Sequence, residues 1–291
     1  MLQGAITAIV TPFDEKGNID GKALRELVNF QIENNISGIV PCGTTGESPT
    51  LSYEEHSKAI AIVIDEARGR VPVIAGTGSN STDEAILLTR HALKAGAHSS
   101  LQVAPYYNKP TQKGLYEHFI AIAEAIDLPM IIYNIPGRTG INIETDTLLR
   151  MAEHKNIIGI KEASGNIPQM MDILSRRPAG FTVLSGDDNL TLPLMVLGGD
   201  GVISVASNIV PRQVSDMVQR GLRGQWDEAR EYHYLLLPLF KALFIETNPI
   251  PIKTALAMLG MVKEVFRSPL CRMDPKNREK LKVVLENQKI L

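Results

Sequence analysis

Short runs of apolar, often branched residues alternate with longer segments of helical periodicity up to about residue 220 of this chain. Most of the runs are continuously apolar, as expected of strands that are covered on both faces. Because a segment suited to a helix follows each run, the pattern predicts parallel strands joined by crossover helices. The predicted strands are Ala5–Val10, Gly38–Cys42, Val71–Ala75, Leu101–Ala104, Met130–Tyr133, Ile157–Lys161, Thr182–Ser185 and Val202–Val205.

The number of these units distinguishes two α/β architectures. Eight pairs of strand and helix fit a closed (β/α)8 TIM barrel, whereas a doubly wound open sheet more often has roughly five or six strands. We therefore predict an α/β fold with a barrel domain over residues 1–224 and a C-terminal helical domain over residues 225–291. The C-terminal helices are predicted at Trp226–Phe244, Pro251–Met258 and Pro275–Leu285.

Composition excludes several classes of protein. The 291 residues are 44% hydrophobic and 21% charged, which excludes a disordered or fibrous chain. The 30 Lys and Arg residues nearly balance the 32 Asp and Glu residues, so we expect no nucleic-acid partner. Cys42 and Cys271 lie far apart and belong to no Cys/His cluster, so neither a zinc site nor a disulfide framework is expected.

Membrane insertion and export are not expected either. The longest apolar runs, such as Leu235–Phe240, are too short to cross a bilayer. Residues Met1–Gly4 lack the basic and apolar regions of a signal peptide. The sequence thus predicts a soluble, cytoplasmic protein.

Two helix starts have the spacing of a capping box, in which a hydroxyl and an acid three residues later satisfy each other's backbone N–H groups. These pairs are Ser52 with Glu55 and Ser81 with Glu84. The helices predicted to follow are Glu55–Ala67 and Ala85–Ala95.

In a parallel barrel, reactive groups lie at the C-terminal ends of the strands and in the loops that follow. The second predicted strand leads into Gly43–Ser48, where glycines permit close backbone approach while hydroxyl and N–H groups face an anion. A carboxylate or a phosphate suits such a loop. The same spacing also occurs in ordinary turns between a strand and a helix, so both interpretations remain open from the residues alone.

Lys161 is the most unusual residue in the predicted strands, because it ends the apolar run that begins at Ile157. Lysine is rarely buried in a strand unless it is paired or reactive. Burial disfavours the ammonium form and leaves a neutral amine that attacks a ketone to form a Schiff base. The alternative is a lysine that extends from the strand end to pair with Glu162 or with a neighbouring acid.

Other polar residues follow neighbouring strands. Tyr133 ends the strand before that of Lys161 and would relay protons, although tyrosine is also an ordinary strand residue. Arg138 lies on a loop that glycines keep open and offers a fork for a second carboxylate, or is simply a solvated arginine. Asp187 and Asp188 suggest a metal ion weakly, and we favour a helix N-cap role for Asp188.

Several of these segments together resemble the dihydrodipicolinate synthase family, over nearly the whole chain. That family belongs to a superfamily of Schiff-base lyases and aldolases that includes N-acetylneuraminate lyase. The segments that carry the resemblance are Gly43–Ser48, Ala104–Tyr107, Tyr133–Pro136 with Arg138–Gly140, Gly159–Glu162 and Ser185–Asp188.

The resemblance implies condensation of pyruvate with L-aspartate 4-semialdehyde to 4-hydroxy-tetrahydrodipicolinate, on the route to diaminopimelate and lysine. Neither a metal nor an organic cofactor is implied. Lys161 would hold pyruvate as an imine. The implied catalytic partners of Lys161 are Tyr133, Thr44 and Tyr107 as a proton relay, and the implied substrate-binding residues are Thr45 for the pyruvate carboxylate, Arg138 for the semialdehyde carboxylate, Gly186 and the backbone of Ile203.

The resemblance also implies a homotetramer built as a dimer of dimers, in which Tyr107 reaches across an interface into the partner's site. L-Lysine is implied as an inhibitor. The residues implied to bind it are Ser48, His56, Asn80, Glu84 and Tyr106. Without the resemblance, His56 would be interpreted as a helix-surface residue and Glu84 as a capping acid. Pro49 and Tyr53 replace residues that are often Ala and His in lysine-inhibited members, which bears on regulation.

Two other functions remain open. A sugar-acid or N-acetylneuraminate aldolase would share Lys161, Tyr133 and the Thr44-Thr45 pair but would need residues that recognise a polyol. A pyruvate-binding regulator without catalysis would be expected to have lost Lys161, Tyr133 or Tyr107, and all three are present.

Overall fold

The computed structural model describes residues 2–291, and in this range eight parallel strands form a barrel. The predicted (β/α)8 fold is confirmed, and each predicted strand overlaps an observed one. The strands are β1 (Gly4–Ala8), β2 (Gly38–Val40), β3 (Ile74–Gly76), β4 (Ser99–Val103), β5 (Met130–Asn134), β6 (Ile157–Glu162), β7 (Thr182–Ser185) and β8 (Gly201–Ser204).

Strand pairing runs around the barrel in the order β2-β1-β8-β7-β6-β5-β4-β3. The gap between β2 and β3 is closed by a parallel bridge between Ile39 and Val73. The Ile39 N–H donates to the Pro72 carbonyl at 3.0 Å, and the Gly76 N–H donates to the Pro41 carbonyl at 2.9 Å. All C-terminal strand ends therefore face one mouth of the barrel, where Lys161 and Tyr133 lie.

Helices surround the strands and extend beyond β8. They are α1 (Gly21–Glu33), α2 (Tyr53–Ala67), α3 (Thr82–Ala95), α4 (Gln112–Ala125), α5 (Pro136–Thr139), α6 (Thr145–Met151), α7 (Ile167–Arg176), α8 (Thr191–Val196), α9 (Pro211–Leu222), α10 (Trp226–Ala242), α11 (Ile250–Met258) and α12 (Pro275–Asn287). The capping box of Ser52 and Glu55 is confirmed at the start of α2. The second predicted box is wrong in one half: Ser81 accepts from the Glu84 N–H, but the Glu84 carboxylate accepts from the Ser79 hydroxyl instead.

The barrel interior is filled by inward-facing side chains from alternate strand positions. Tyr133, Leu184 and Ile203 are buried together in this internal cluster. A separate and larger cluster lies between the barrel wall and the surrounding helices. Apolar side chains fill the interior, so the barrel is a packed core and not a pore. Polar groups that point into its mouth are therefore largely shielded from water.

The C-terminal helices α10, α11 and α12 share the larger hydrophobic cluster with α1, α2 and α9. Phe13, Phe240 and Leu256 are all buried in it. Because one cluster runs across residues 224 and 225, the division into two domains at that point remains a proposal. In the described part of the chain, no helix is both long and apolar enough to cross a membrane.

Candidate active site

Lys161 and Tyr133 meet at the C-terminal ends of adjacent strands. They are register partners in the β5 and β6 pairing, so their side chains leave the sheet on the same face. The Lys161 Nζ atom lies 4.2 Å from the centroid of the Tyr133 ring. Lys161 is 5% exposed and Tyr133 is 6% exposed, so the amine and the phenol are both largely removed from water.

Burial lowers the pKa of the Lys161 amine to about 8. The Asp187 and Asp188 carboxylates oppose this shift, and the Arg138 charge adds to it. At neutral pH, roughly a tenth of an amine with this pKa is uncharged, against well under a thousandth at the ordinary value. The buried strand end therefore supplies the neutral nucleophile that attack on a ketone requires.

The alternative pairing of Lys161 with Glu162 does not occur. Successive strand residues face opposite sides of a sheet. The Glu162 carboxylate accepts hydrogen bonds from the Ser164 N–H at 2.6 Å and from the Asn134 amide at 3.1 Å. Glu162 thus fixes the backbone behind the strand and leaves the Lys161 amine free on the other face.

Burial raises the pKa of the Tyr133 phenol, and the Asp187 carboxylate raises it further. The Arg138 charge and the interaction with the Thr44 side chain act in the opposite direction. The phenol therefore keeps its proton at neutral pH and is able to pass it on as an O–H group. Thr44 is the first residue of a 3-10 turn, Thr44–Gly46, in the loop that follows β2.

Gly186 leaves room for the Lys161 side chain. A Cβ atom at Gly186 would lie 2.5 Å from the Ala163 Cβ and 3.1 Å from the Lys161 Cε. Ile203 on β8 pairs in register with Ile6 and packs in the same internal cluster as Tyr133. The structure thus places Gly186 against the Lys161 side chain, and Ile203 in the internal cluster that also contains Tyr133.

The predicted N-cap role of Asp188 is wrong. Asp188 begins a 3-10 turn, Asp188–Leu190, and its carboxylate accepts hydrogen bonds from the loop after β8. The donors are the Ser204 hydroxyl at 2.5 Å and the N–H groups of Val205 and Ala206 at 3.0 Å and 2.9 Å. Within residues 2–291, no group of three or more His, Cys, Asp or Glu side chains is arranged to hold a metal ion.

Residues of the C-terminal helical region that no sequence motif indicates anchor the loop after β2. Thr45 is buried, and its hydroxyl oxygen accepts a hydrogen bond of 3.0 Å from the Asn248 amide nitrogen. Glu47, with a positive φ of 54°, forms an ion pair with Lys253 in which both side chains are fully buried. The Arg267 N–H donates to the same carboxylate at 3.2 Å. The C-terminal helical region therefore fixes this loop.

Arg138 lies in the short helix α5 rather than in the predicted open loop. The Pro136 ring at the start of the helix favours this turn, because proline is preset for the first helical position. One guanidinium nitrogen donates to the Asn248 backbone carbonyl at 3.0 Å. The rest of the guanidinium is exposed at the barrel mouth and offers its remaining donors to an anion.

One cleft of about 530 Å³ joins the barrel mouth to the residues expected to bind lysine. Its lining includes Thr44, Tyr133 and Arg138 from the first group and Ser48, His56, Glu84 and Tyr106 from the second. Asn80 adjoins it, since its amide donates to the Tyr106 carbonyl at 3.2 Å. The two predicted sites are therefore neighbouring parts of one concave surface.

His56 is not the helix-surface residue that its spacing suggests, because it is buried. Its Nε2 atom lies 2.8 Å from the Gly76 carbonyl oxygen, and burial lowers the pKa of the imidazole. The neutral ring then donates from Nε2 and keeps Nδ1 as an acceptor. Tyr53, at the rim of the cleft, interacts with the Glu84 carboxylate, which raises the pKa of the phenol.

Tyr107 is the one predicted catalytic residue that the chain does not bring to its own site. Its side chain is 91% exposed, and its backbone has a positive φ of 73°. A tyrosine rarely adopts this left-handed conformation, so the loop directs an aromatic residue into solvent at a conformational cost.

A (β/α)8 barrel with a buried amine and a phenol at the C-terminal ends of neighbouring strands has the groups that Schiff-base chemistry requires. The chain belongs to the dihydrodipicolinate synthetase family, whose model matches residues 1–288. The 4-hydroxy-tetrahydrodipicolinate synthase of Syntrophus aciditrophicus is 58% identical to it over 99% of this chain and 98% of that protein.

Two similar crystal structures contain small molecules. The chloride-inhibited dihydrodipicolinate synthase of Acinetobacter baumannii, complexed with pyruvate, is 45% identical with a TM-score of 0.98 and full coverage of both chains, 100% in each case. The enzyme of Cyanidioschyzon merolae with lysine bound is 43% identical with a TM-score of 0.97, covering 100% of this chain and 99% of that one. The family expected from the sequence is confirmed.

Proposed function

We propose that this chain is a 4-hydroxy-tetrahydrodipicolinate synthase, which condenses pyruvate with L-aspartate 4-semialdehyde. The observation that carries the proposal is the buried Lys161 amine beside the Tyr133 phenol. The similarity to relatives of that name, and to a relative that binds pyruvate, supports the same reaction. A cytoplasmic location, as expected from the sequence, is part of this proposal.

The first half of the reaction joins pyruvate to Lys161. The neutral amine attacks the ketone carbon, Tyr133 transfers the protons that turn the carbinolamine oxygen into water, and loss of water leaves an iminium ion. Thr45 and the Thr44 N–H hold the pyruvate carboxylate. Loss of a proton from the pyruvate methyl group then gives an enamine, with the iminium nitrogen as the electron sink.

The second half joins the two substrates. The enamine carbon attacks the aldehyde carbon of the semialdehyde, and the aldehyde oxygen takes up a proton through the relay of Tyr133, Thr44 and Tyr107. Arg138 holds the semialdehyde carboxylate. The amino group of the second substrate then attacks the iminium carbon, which closes the ring and frees Lys161.

The proposal also includes an active site shared between two chains and inhibition by L-lysine. An exposed Tyr107 on a left-handed backbone suits a residue that completes the relay of a partner chain in a homotetramer. L-Lysine is proposed to bind at Ser48, His56, Asn80, Glu84 and Tyr106. Sedimentation of the purified chain tests the assembly, and a fully active monomer would refute the shared site.

The alternative function is aldol cleavage of a sugar acid, and comparing substrates distinguishes it from the proposed condensation. Purified enzyme is assayed for product from pyruvate and L-aspartate 4-semialdehyde and, at matched concentrations, for pyruvate released from N-acetylneuraminate and from sugar acids. The proposal predicts condensation alone, and Lys161→Ala serves as the inactive control. Faster release of pyruvate from a sugar acid than condensation with the semialdehyde would overturn it.

A further inference from the structure

Asn248 links the two residues proposed to bind the two substrate carboxylates. It lies just before α11, in the C-terminal helical region, and is 4% exposed. Its amide nitrogen donates to the Thr45 hydroxyl oxygen at 3.0 Å, and its backbone carbonyl accepts from Arg138 at 3.0 Å. The side chain therefore acts on one proposed subsite and the backbone on the other.

The direction of the bond to Thr45 determines where the threonine proton goes. A hydroxyl has one donor and two acceptor positions. Because Asn248 occupies an acceptor position, the Thr45 O–H is left to donate elsewhere, and it donates to no group within residues 2–291. The Asn248 Oδ1 atom is buried and has no hydrogen-bond partner in the same described range. Thr45 alone therefore orients the side-chain amide.

We propose that Asn248 is a positioning residue that turns the Thr45 hydroxyl into a fixed donor for the pyruvate carboxylate. This inference rests on the proposed function, in which Thr45 binds that carboxylate. Because it accepts from the Asn248 amide, the Thr45 hydroxyl is held in one orientation and keeps its proton available for the anion. Hydrogen bonding to a neutral donor also polarises the hydroxyl, which strengthens its bond to the carboxylate.

The bond from Asn248 is only one of the contacts that anchor the loop. The buried pair of Glu47 and Lys253 and the bond from the Arg267 N–H fix the same loop two residues further on. Replacing the Asn248 side chain therefore changes the orientation of one hydroxyl while the loop stays in place. The effect of Asn248 on the Thr45 hydroxyl can therefore be measured separately from any effect on the position of the loop.

The test measures the pyruvate concentration that gives half-maximal trapping of the Lys161 imine by borohydride, in wild type and variants. Asn248→Ala is expected to raise it roughly tenfold, since a hydrogen bond and the orientation it imposes are lost. The KM for the semialdehyde should stay within about twofold, because Arg138 contacts only the Asn248 backbone. The thermal unfolding midpoint is recorded to establish that each variant is folded.

Asn248→Asp tests the direction of the bond at nearly constant shape. A carboxylate accepts the Thr45 proton and repels the pyruvate carboxylate, so half-saturation should rise more than in Asn248→Ala. If the amide oxygen rather than the nitrogen faced Thr45, the aspartate would keep that contact, and half-saturation would rise less than in Asn248→Ala. That result would overturn the proposal.

A double-mutant cycle with Thr45→Val tests whether Asn248 acts through the hydroxyl. In the Thr45→Val background, Asn248→Ala should change half-saturation by less than about twofold. Equal effects in both backgrounds, or equal rises for pyruvate and semialdehyde, would refute the positioning role. Absence of trapping in the wild type would instead refute the proposed function, so the two failures are distinguishable.

Discussion

The Lys161 amine lies 4.2 Å from the ring centroid of Tyr133, its register partner on the neighbouring strand. Register in a parallel sheet sets this relationship, because aligned residues on adjacent strands point to the same face. The phenol is therefore held beside the amine by backbone hydrogen bonds rather than by a flexible loop. A nucleophile and an acid fixed in this way need little rearrangement before reaction.

The rate of imine formation should follow the ionisation of Lys161. Burial lowers the pKa of this amine to about 8, and only the neutral form attacks pyruvate. Below about pH 7, the rate constant for borohydride-trapped imine should rise roughly tenfold per pH unit, and it should level off above about pH 8. Rapid-quench trapping at saturating pyruvate measures this profile. A rate that is flat between about pH 6 and pH 8 would contradict the assignment.

Substitutions of Arg138 and Tyr133 should affect different steps of the reaction. Arg138→Ala should raise the KM for L-aspartate 4-semialdehyde by about tenfold or more and leave the rate of pyruvate trapping within about twofold. Tyr133→Phe, which preserves the ring, should slow trapping and turnover together by roughly a hundredfold. Single-turnover trapping and steady-state rates on the same samples separate the steps. Equal loss of trapping in both variants would defeat the division of roles.

The buried pair of Lys253 and Glu47 should be important for stability. Lys253→Met leaves an uncompensated carboxylate in the core, so the free energy of unfolding should fall by about 3 to 5 kcal/mol. Lys22→Met removes an exposed partner of Glu26 and should cost less than about 0.5 kcal/mol. Urea denaturation of both variants, and of Lys253→Met combined with Glu47→Gln, measures the difference. A double variant no more stable than Lys253→Met would argue against an unpaired charge as the cause.

Inhibition by L-lysine should depend on Glu84. Its carboxylate lines the cleft that also reaches Tyr133, and it is suited to pair with an ammonium group. Glu84→Ala should raise the lysine concentration for half-inhibition at least about tenfold, whereas Glu124→Ala, an exposed residue on α4, should not change it. Initial rates are measured across a lysine titration at low and at saturating pyruvate. Inhibition that Glu84→Ala leaves unchanged, or that pyruvate fully relieves, would remove this site.

Much of the fold and the reacting pair could be predicted because the signals are local. Continuous apolar runs identify the strands, and Lys161 is conspicuous because it ends such a run. Lys253 carries a comparable signal, a charged residue within the apolar segment Ile250–Met258, and it is buried in the same way. The pattern indicates that Lys253 is buried but does not identify its partner, because Glu47 is about two hundred residues away in sequence.

Contacts made across the fold were the ones that sequence patterns missed. Asp188 is followed by a helix and so resembles a cap, but the N–H groups it binds belong to the loop after β8. His56 has the sequence spacing of a surface position on α2. It is buried against β3 because of how the helix packs on the barrel, which the spacing does not show. Asn248 lies between two predicted helices, and its bond to Thr45 follows only from the packing of the C-terminal helices on the barrel.

Covalent trapping of pyruvate shows whether Lys161 forms the imine on which the proposed reaction depends. The purified chain is incubated with pyruvate and borohydride, and intact mass and peptide mapping locate the label, with Lys161→Ala as the control. One reduced pyruvyl group per chain is expected, attached to Lys161 and absent from the variant. Label on a different lysine, or no label under conditions in which the enzyme turns over, would contradict it.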